Sequence, residues 1–404
     1  MLDSRTIEII KSTVPVLEVH GETITRTFYQ TMFRNHPELL NIFNHANQRQ
    51  GKQPTALANA VYAAAANIDA LERILPVVRG IAQKHRALGI LPEHYPIVGE
   101  NLLGAIKTVL GEAATEEIIE AWAQAYGVIA DVFISVEAEM YEHSEQQPGG
   151  WRGFRRFIID RKVQETAEVT SFYLVPEDGK AIASYEPGQY ITVRVKPEGQ
   201  EFTHLRHYSL SMAPGAAYYR ITVKREDADA NRPEGIVSTY LHQHMQEGGV
   251  LELSAPAGDF TLDQNLQAPV TLISGGVGLT PMLSMLETLL QHSEREIVYI
   301  HAARSREHHI MKEHIDKLAA NSPHLKCYTV YETSAADDKC DKSGYIDASW
   351  LSTIAPLHSD FYFCGPVPFM KAIYQALHEM NVPEENIHYE FFGPAGSLSS
   401  SAPA

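Results

Sequence analysis

The sequence predicts a multidomain protein: an all-α domain, then an antiparallel β-barrel domain, then an α/β domain on a parallel sheet. Three observations predict it. Apolar residues of the first third recur at helical spacing, and those of the middle third alternate in short runs between turn residues. Those of the last third form compact apolar runs followed by helical stretches. A chain of 404 residues is long enough to build two or three separate cores.

Residues 1–143 are expected to be helical. The spacing shows in Ala56-Leu57-Ala58-Asn59-Ala60-Val61-Tyr62-Ala63 and in Ile118, Trp122, Tyr126, Ile129 and Phe133. Breakers at Pro37, Pro54, Pro76, Pro92 and Gly111 divide the segments, and Thr115-Glu116-Glu117-Ile118 marks the start of the last long helix. The polar, breaker-rich Ser144-Glu145-Gln146-Gln147-Pro148-Gly149-Gly150 reads as a linker, placed at 144–153. The barrel is expected over 154–265, with strands at Phe157–Asp160, Val169–Val175, Tyr190–Val195 and Tyr219–Val223. The parallel sheet is expected over 266–404, with strands at Val270–Ile273, Ile297–Ile300, Cys327–Tyr331 and Phe361–Phe363. From about residue 397 the tail is small and polar and is expected to be disordered.

Composition narrows the function classes. A hydrophobic content of 44% with 21% charged residues suits a globular protein rather than a disordered one. The net charge of -17, with no basic tract, argues against nucleic acid and anionic membranes as partners. Three cysteines (Cys327, Cys340, Cys364), with no CxxC pair, point to a reducing compartment. The first residues carry early acids and no apolar core, so no signal peptide is read. No run approaches the roughly 20 apolar residues that span a bilayer. A cytoplasmic monomer without a transmembrane segment is the expectation.

Three motifs in the second half carry chemistry. Gly275-Gly276-Val277-Gly278-Leu279-Thr280-Pro281 follows an apolar strand and precedes a helix. Glycines there let backbone amides approach a pyrophosphate, and the helix N-terminus favours its charge. A glycine turn of this kind is also a plain strand-to-helix connection. Arg206-His207-Tyr208-Ser209 lies at a strand edge after Pro187-Gly188-Gln189-Tyr190. Its arginine suits a flavin phosphate, its tyrosine face the isoalloxazine, and its serine a ring nitrogen. Gly235-Ile236-Val237-Ser238-Thr239 opens a short helix, a second anion-binding start. Cys364-Gly365-Pro366 follows the last compact strand. Together these segments, over residues ~154–394, resemble the ferredoxin–NADP reductase superfamily. The resemblance implies FAD at Tyr190, Arg206, His207, Tyr208, Ser209, Val237 and Ser238. It also implies nicotinamide at Gly275–Pro281, with Cys364 beside it. Arg304, Ser305 and Arg306 follow the second strand of the nucleotide domain, where a 2′-phosphate fits, and no acidic residue adjoins that strand end. The choice between NADH and NADPH stays open.

Among 19 histidines, His85 stands out, late in a helix that begins after Pro76 and ends near Gly89. Phe28-Tyr29 on an early helix, the corner Pro37–Phe43 and Gln53 lie upstream. An aromatic corner, a distal polar residue and one downstream histidine form the layout of a haem pocket with a single protein ligand. Here the chain resembles a globin, and a globin joined to this reductase resembles the flavohaemoglobins. The match runs from Asn47-Gln48-Arg49 through Gln83-Lys84-His85 to Asn386-Ile387-His388-Tyr389-Glu390. The resemblance implies haem b held by His85, Phe43 wedging it, and Tyr29 and Gln53 in the distal pocket. Tyr95 and Glu137 would orient the imidazole. Lys84 and Glu390 match charged positions near the flavin–haem path. Phe391 and Phe392 continue into Gly393-Pro394 against the flavin, with phenylalanine where the family often has a smaller residue. Glu137 shares a helical face with Tyr126 and Phe133, and a carboxylate on an apolar face is costly unless paired. A solvated acid is the alternative, since Glu139 and Glu142 lie close by. Pro54, directly after Gln53, is tolerated in a first helical turn but displaces the distal helix if it lies deeper.

The resemblance implies a nitric oxide dioxygenase: NAD(P)H reduces FAD, FAD reduces haem, and O2 and NO become nitrate. A lipid or azole in the distal pocket is compatible with the family. Two rivals are an NAD(P)H-dependent reductase of ferric iron, quinone or peroxide, and a haem-based O2 or NO sensor. The sensor lacks an output module and leaves the reductase half without a purpose.

Overall fold

The computed structural model describes residues 2–43, 51–229, 233–393 and 398, with the side chain of Lys52 excepted. Asn47-Gln48-Arg49, Pro394 and the tail residues of the sequence reading other than Leu398 lie outside the described residues. The chain divides into two compact units. Met1–Arg155 and Thr192–Arg206 fall in the first, Arg156–Ile191 and His207–Phe392 in the second.

The first unit is helical up to Gln146, with helices α1 (Ser4–Ser12), α2 (Val14–Asn35), α3 (Lys52–Ala66), α4 (Leu75–Leu88), α5 (His94–Leu110) and α6 (Glu116–Gln146). Their ends follow from the sequence. Asp3 accepts the Thr6 N–H at 2.8 Å as an N-cap, and Thr115 caps α6 through the Ile118 N–H. Gly89, at φ +81°, stops α4 in the left-handed conformation that only glycine adopts freely. Pro54 occupies the first turn of α3, the tolerated place. One core joins Ile10, Leu17, Ile24, Phe28, Met32, Leu102, Ile106, Trp122 and Ala125.

Helix α6 differs from the sequence reading twice. It runs three residues past 143, because Ser144 is buried and its Oγ accepts the Arg86 guanidinium at 3.1 Å. The linker therefore begins later than read. By length and composition α6 is also apolar enough to cross a membrane, which corrects the reading that no stretch approaches it. It packs on α1, α4 and α5.

Strands β1 (Phe154–Gln164), β2 (Val169–Pro176), β3 (Tyr190–Val195), β4 (His204–Ser209), β5 (Tyr219–Lys224) and β6 (Val250–Ser254) form one sheet in the order β4-β3-β6-β1-β2-β5. A bridge between Leu210 and Ile221, with the Ser211 N–H donating to the Arg220 carbonyl at 2.9 Å, brings the end of β4 back to β5. The sheet is thereby a nearly closed barrel. Residues 192–206 cluster with the helical unit: the Thr203 N–H and hydroxyl donate to Asn41 Oδ1 and its carbonyl at 2.9 and 2.8 Å, and Arg194 lies 4.1 Å from the Phe154 ring centroid. Strand β6, with only three buried residues, was absent from the sequence reading.

Helix α7 (Ile236–Gln243) precedes β6, and the second sheet follows. Its elements are β7 (Val270–Gly275), α8 (Leu279–His292), β8 (Ile297–Ala303), α9 (Lys312–Ala320), β9 (Leu325–Tyr331), β10 (Lys342–Ser343), α10 (Ala348–Ile354), β11 (Asp360–Cys364), α11 (Val367–Glu379) and β12 (Ile387–Tyr389). All its pairings are parallel, in the order β10-β9-β8-β7-β11-β12. The chain winds outward from β7 to β10, then returns to start again at β11. Adjacent β7 and β11 thus form the switch point of an open parallel sheet, where ligands bind beyond the strand ends.

Polar side chains are buried behind this edge. Ser274 Oγ and His301 Nδ1 are 2.8 Å apart, His301 packs at a tilt against His309 with ring centroids 4.6 Å apart, and His309 Nδ1 is 3.0 Å from the Tyr331 hydroxyl. Burial lowers the pKa of both histidines, that of His309 from 6.5 to about 4. Between those values the unfolded chain takes up a proton at residue 309 that the folded protein refuses, so stability rises with pH across that window. We expect about 3 kcal/mol to be lost as pH falls from 6.5 to 4, and His309→Gln to remove much of that slope. Urea midpoints measured over this range check it; parallel slopes for the two proteins would contradict it.

Candidate functional site

Helices α4, α5 and α6 converge on one buried carboxylate. Glu137, on α6, is 3% exposed, and its Oε1 lies 2.7 Å from His85 Nδ1 on α4 and accepts the Tyr95 hydroxyl of α5 at 2.6 Å. The Tyr95 hydroxyl is itself 3.3 Å from His85 Nδ1. Burial, then the bond to Glu137, pushes the Tyr95 phenol far above its ordinary pKa, so it stays a donor. Phe133, one turn before Glu137, packs with its ring centroid 5.8 Å from that of His85. The bond to Glu137 requires the proton on Nδ1 and leaves Nε2 as the acceptor nitrogen. No described residue is recorded as its partner. Such a histidine is prepared to ligate a metal through Nε2, with its tautomer fixed by the carboxylate.

The other helical residues fall as follows. Tyr29, on α2, is buried among Phe28, Phe33 and Phe43, with centroids 4.7, 5.8 and 5.8 Å away. Gln53 is the second residue of α3 and half-buried, and Lys84 is half-buried beside His85. Sequence reasoning missed Tyr141 and Arg86. The Tyr141 hydroxyl donates to the Ile90 carbonyl at 2.8 Å, and Arg86 is buried on the turn carrying His85. Both brace the end of α4 against α6. A buried arginine on an amphipathic helix gives no periodicity signal to find it by.

Arg206, His207, Tyr208 and Ser209 form most of β4, the edge strand of the barrel sheet. Tyr190 opens β3 and packs on His207 at 4.6 Å between centroids. Helix α7 begins at Ile236, so Val237 and Ser238 belong to its first turn. The Ser238 hydroxyl is occupied: it donates to the Gly235 carbonyl at 3.1 Å and accepts the Glu226 N–H at 3.2 Å. What remains for an anion is the backbone N–H set that a first turn leaves without helical partners. Thr239 Oγ1, in the same turn, is buried with no hydrogen-bond partner among the described residues. The other end of α7 is held by Lys162, whose Nζ donates to the carbonyls of Met245 at 2.5 Å and His242 at 3.3 Å. This cation at a helix C-terminus was not foreseen.

At the switch point two glycine turns interlock. Gly275 ends β7, Gly276 has φ +52°, and Gly278 sits so close under β11 that a Cβ would overlap the Cys364 carbonyl. A Cβ on Gly275 or Gly365 would press the Phe369 ring, at 3.0 and 2.6 Å. Val277 completes the turn, and Leu279, Thr280 and Pro281 are buried as the first residues of α8, with the Thr280 hydroxyl donating to the Val277 carbonyl at 3.1 Å. Cys364 is fully buried, donates its thiol to the Glu390 carbonyl at 3.4 Å, and is pushed well above the ordinary thiol pKa by burial. It is a packing residue at the strand end rather than a thiolate nucleophile. Phe391 packs edge-on against Tyr389, while Phe392 is 51% exposed and precedes Gly393. One sequence reading is corrected: an acid does adjoin the end of β8, because Glu168, from the turn between β1 and β2, pairs with Arg304 at 2.8 Å.

Three family models match the chain in the order of these folds: globin over residues 26–133, oxidoreductase FAD-binding domain over 156–262, and oxidoreductase NAD-binding domain over 272–375. Fold and matches together define an oxidoreductase that joins a globin to an FAD- and NAD-binding module. The flavohaemoprotein of Halalkalibacterium halodurans is 57% identical over 408 residues, covering 99% of each chain. That of Bacillus subtilis is 51% identical over 407 residues, 99% of this chain and 100% of its own. Among solved structures, the flavohaemoglobin of Malassezia yamatoensis with bound FAD and haem aligns at a TM-score of 0.83 and 29% identity, over 97% of this chain and 100% of that one. The FAD/NAD-binding domain of nitric oxide dioxygenase from Vibrio cholerae is 40% identical, covering 60% of this chain and 100% of that one at a TM-score of 0.56. The chain belongs to the flavohaemoprotein family.

The interlocked turns give a direct test. Gly278→Ala forces β11 away from the β7–α8 turn, and we expect it to destabilise the protein by about 1–3 kcal/mol. A lowered urea midpoint shows this; an unchanged midpoint would mean the two turns are not in contact.

Proposed function

We propose that the protein is an NAD(P)H-dependent nitric oxide dioxygenase that converts NO and O2 to nitrate. The observation that carries the proposal is the 2.7 Å contact of His85 Nδ1 with buried Glu137, in a chain that also has a dinucleotide switch point. His85 Nε2 would hold haem iron, and Phe43 would pack on the macrocycle. Arg206, Tyr208, Ser209 and the first turn of α7 would hold FAD, and Gly275–Pro281 the dinucleotide. His85 Nε2 and the Thr239 hydroxyl, neither of them partnered among the described residues, fit those roles. When bound, these groups supply two-electron uptake, single-electron release and oxygen chemistry at iron.

The residues of the chain shape that chemistry. Glu137 accepts the hydrogen bond donated by His85 Nδ1–H and so raises the electron-donating power of Nε2. Tyr95 satisfies the second lone pair of the same oxygen and keeps Glu137 from swinging away. Tyr29, among Phe28, Phe33 and Phe43, would donate its hydroxyl to an oxygen ligand, and Gln53 would offer a second polar group. Conversion of NO and O2 to nitrate takes one electron per NO, so one hydride serves two turnovers. The free cysteines Cys327, Cys340 and Cys364 agree with action in the cytoplasm.

Tyr29→Phe removes a hydrogen bond to a partly charged oxygen, a loss of about 1.5–3 kcal/mol. We expect O2 to dissociate roughly ten- to a hundredfold faster, with a matching fall in aerobic NO consumption. Stopped-flow measurement of both rates decides. If neither changes, the distal assignment fails. If NADH-dependent ferric, quinone or peroxide reduction exceeds NO consumption at matched enzyme, the reductase reading replaces this one.

A further inference from the structure

The residue at the end of the second strand of a dinucleotide-binding sheet meets the adenosine ribose, and selects between a 2′-hydroxyl and a 2′-phosphate. In this protein that place is the end of β8, followed by Arg304, Ser305 and Arg306. An arginine there, taken alone, is a phosphate ligand. The structure gives Arg304 another partner. Its Nη2 donates to both carboxylate oxygens of Glu168, at 3.0 and 2.8 Å. Glu168 lies 136 positions earlier, in the turn between β1 and β2, so the barrel supplies the acid that the strand end lacks.

That turn is held firmly in place. The Glu168 carbonyl accepts the Arg225 N–H at 2.7 Å, and its own N–H donates to Thr166 Oγ1 at 3.3 Å. The neighbouring Glu165 and Arg306 both line a cavity of about 860 Å³. Arg306 and three lysines line it against four carboxylates, so the cavity has no surplus of positive charge. A 2′-phosphate brings about -1.5 to -2 charges and needs such a surplus. A ribose hydroxyl needs none.

We propose that Glu168 is a specificity-determining residue, which makes the site select the dinucleotide lacking a 2′-phosphate. It does so by occupying Arg304 and by adding its own negative charge beside the ribose end of the site. The proposal rests on the reading of the second unit as a nicotinamide-dependent reductase.

Calorimetric titration of the holoprotein with NAD+ and with NADP+ tests it without turnover. We expect the wild type to bind NAD+ at least about tenfold more tightly than NADP+. Glu168→Gln frees Arg304, and the ratio should fall by about tenfold, the scale of one charge-assisted hydrogen bond. In the double variant E168Q/R304Q the ratio should return toward that of the wild type. Equal or tighter NADP+ binding by the wild type overturns the proposal, as does a ratio that Glu168→Gln leaves unmoved. Binding of neither dinucleotide would instead reject the nicotinamide site itself, and the selector with it.

Discussion

A carboxylate buried on the face of α6 is the constraint around which the helical unit is built. An unpaired charge at the position of Glu137 would cost several kcal/mol. The fold meets this cost with two donors from two other helices, the His85 ring and the Tyr95 hydroxyl. Three helices are therefore locked in register by one oxygen, and the imidazole gains a fixed tautomer and orientation. The same arrangement that permits the burial prepares Nε2 to bind a metal. Structural satisfaction and ligand preparation are one interaction here. The Tyr126 hydroxyl, donating to the Tyr95 carbonyl at 2.6 Å, and Tyr141, donating to the Ile90 carbonyl, hold the surrounding backbone.

The second unit solves a different problem. Parallel strands must bring two turns together at the switch point, and side chains there would exclude a ligand. Glycine at 275, 278 and 365 lets the turns interlock around Phe369 and the Cys364 carbonyl. A first helical turn, here that of α8, leaves backbone amides without helical partners. Buried Ser274, His301 and His309 fill the space behind, kept neutral by the same burial that packs them.

Much of this was legible in the sequence, because the relevant signals are local. The Thr115 cap, the stop at Gly89 and the glycine turn after β7 each depend on a few adjacent residues. Helical periodicity likewise put Glu137 on one face with Phe133. Where sequence reasoning fell short, the determining contact is distant or carries no period. Glu168 meets Arg304 across 136 positions, so the end of β8 looked free of acids. Ser144 continues α6 only because Arg86 reaches it, although its own neighbours read as linker. Strand β6 is short and only partly buried, and its identity comes from its place between β3 and β1. The resemblance placed Ser238 at the FAD site, and its hydroxyl secures its own helix start.

The central claim is that one polypeptide passes electrons from a nicotinamide, through a flavin, to iron held by His85. Its most direct test is an anaerobic NADH titration of the purified holoprotein, followed by absorption. The account predicts superposed flavin and Soret bands before NADH, and after NADH a Soret band shifted to the ferrous form as the flavin band bleaches. A flavin that bleaches while the Soret band keeps its ferric position over minutes would contradict it.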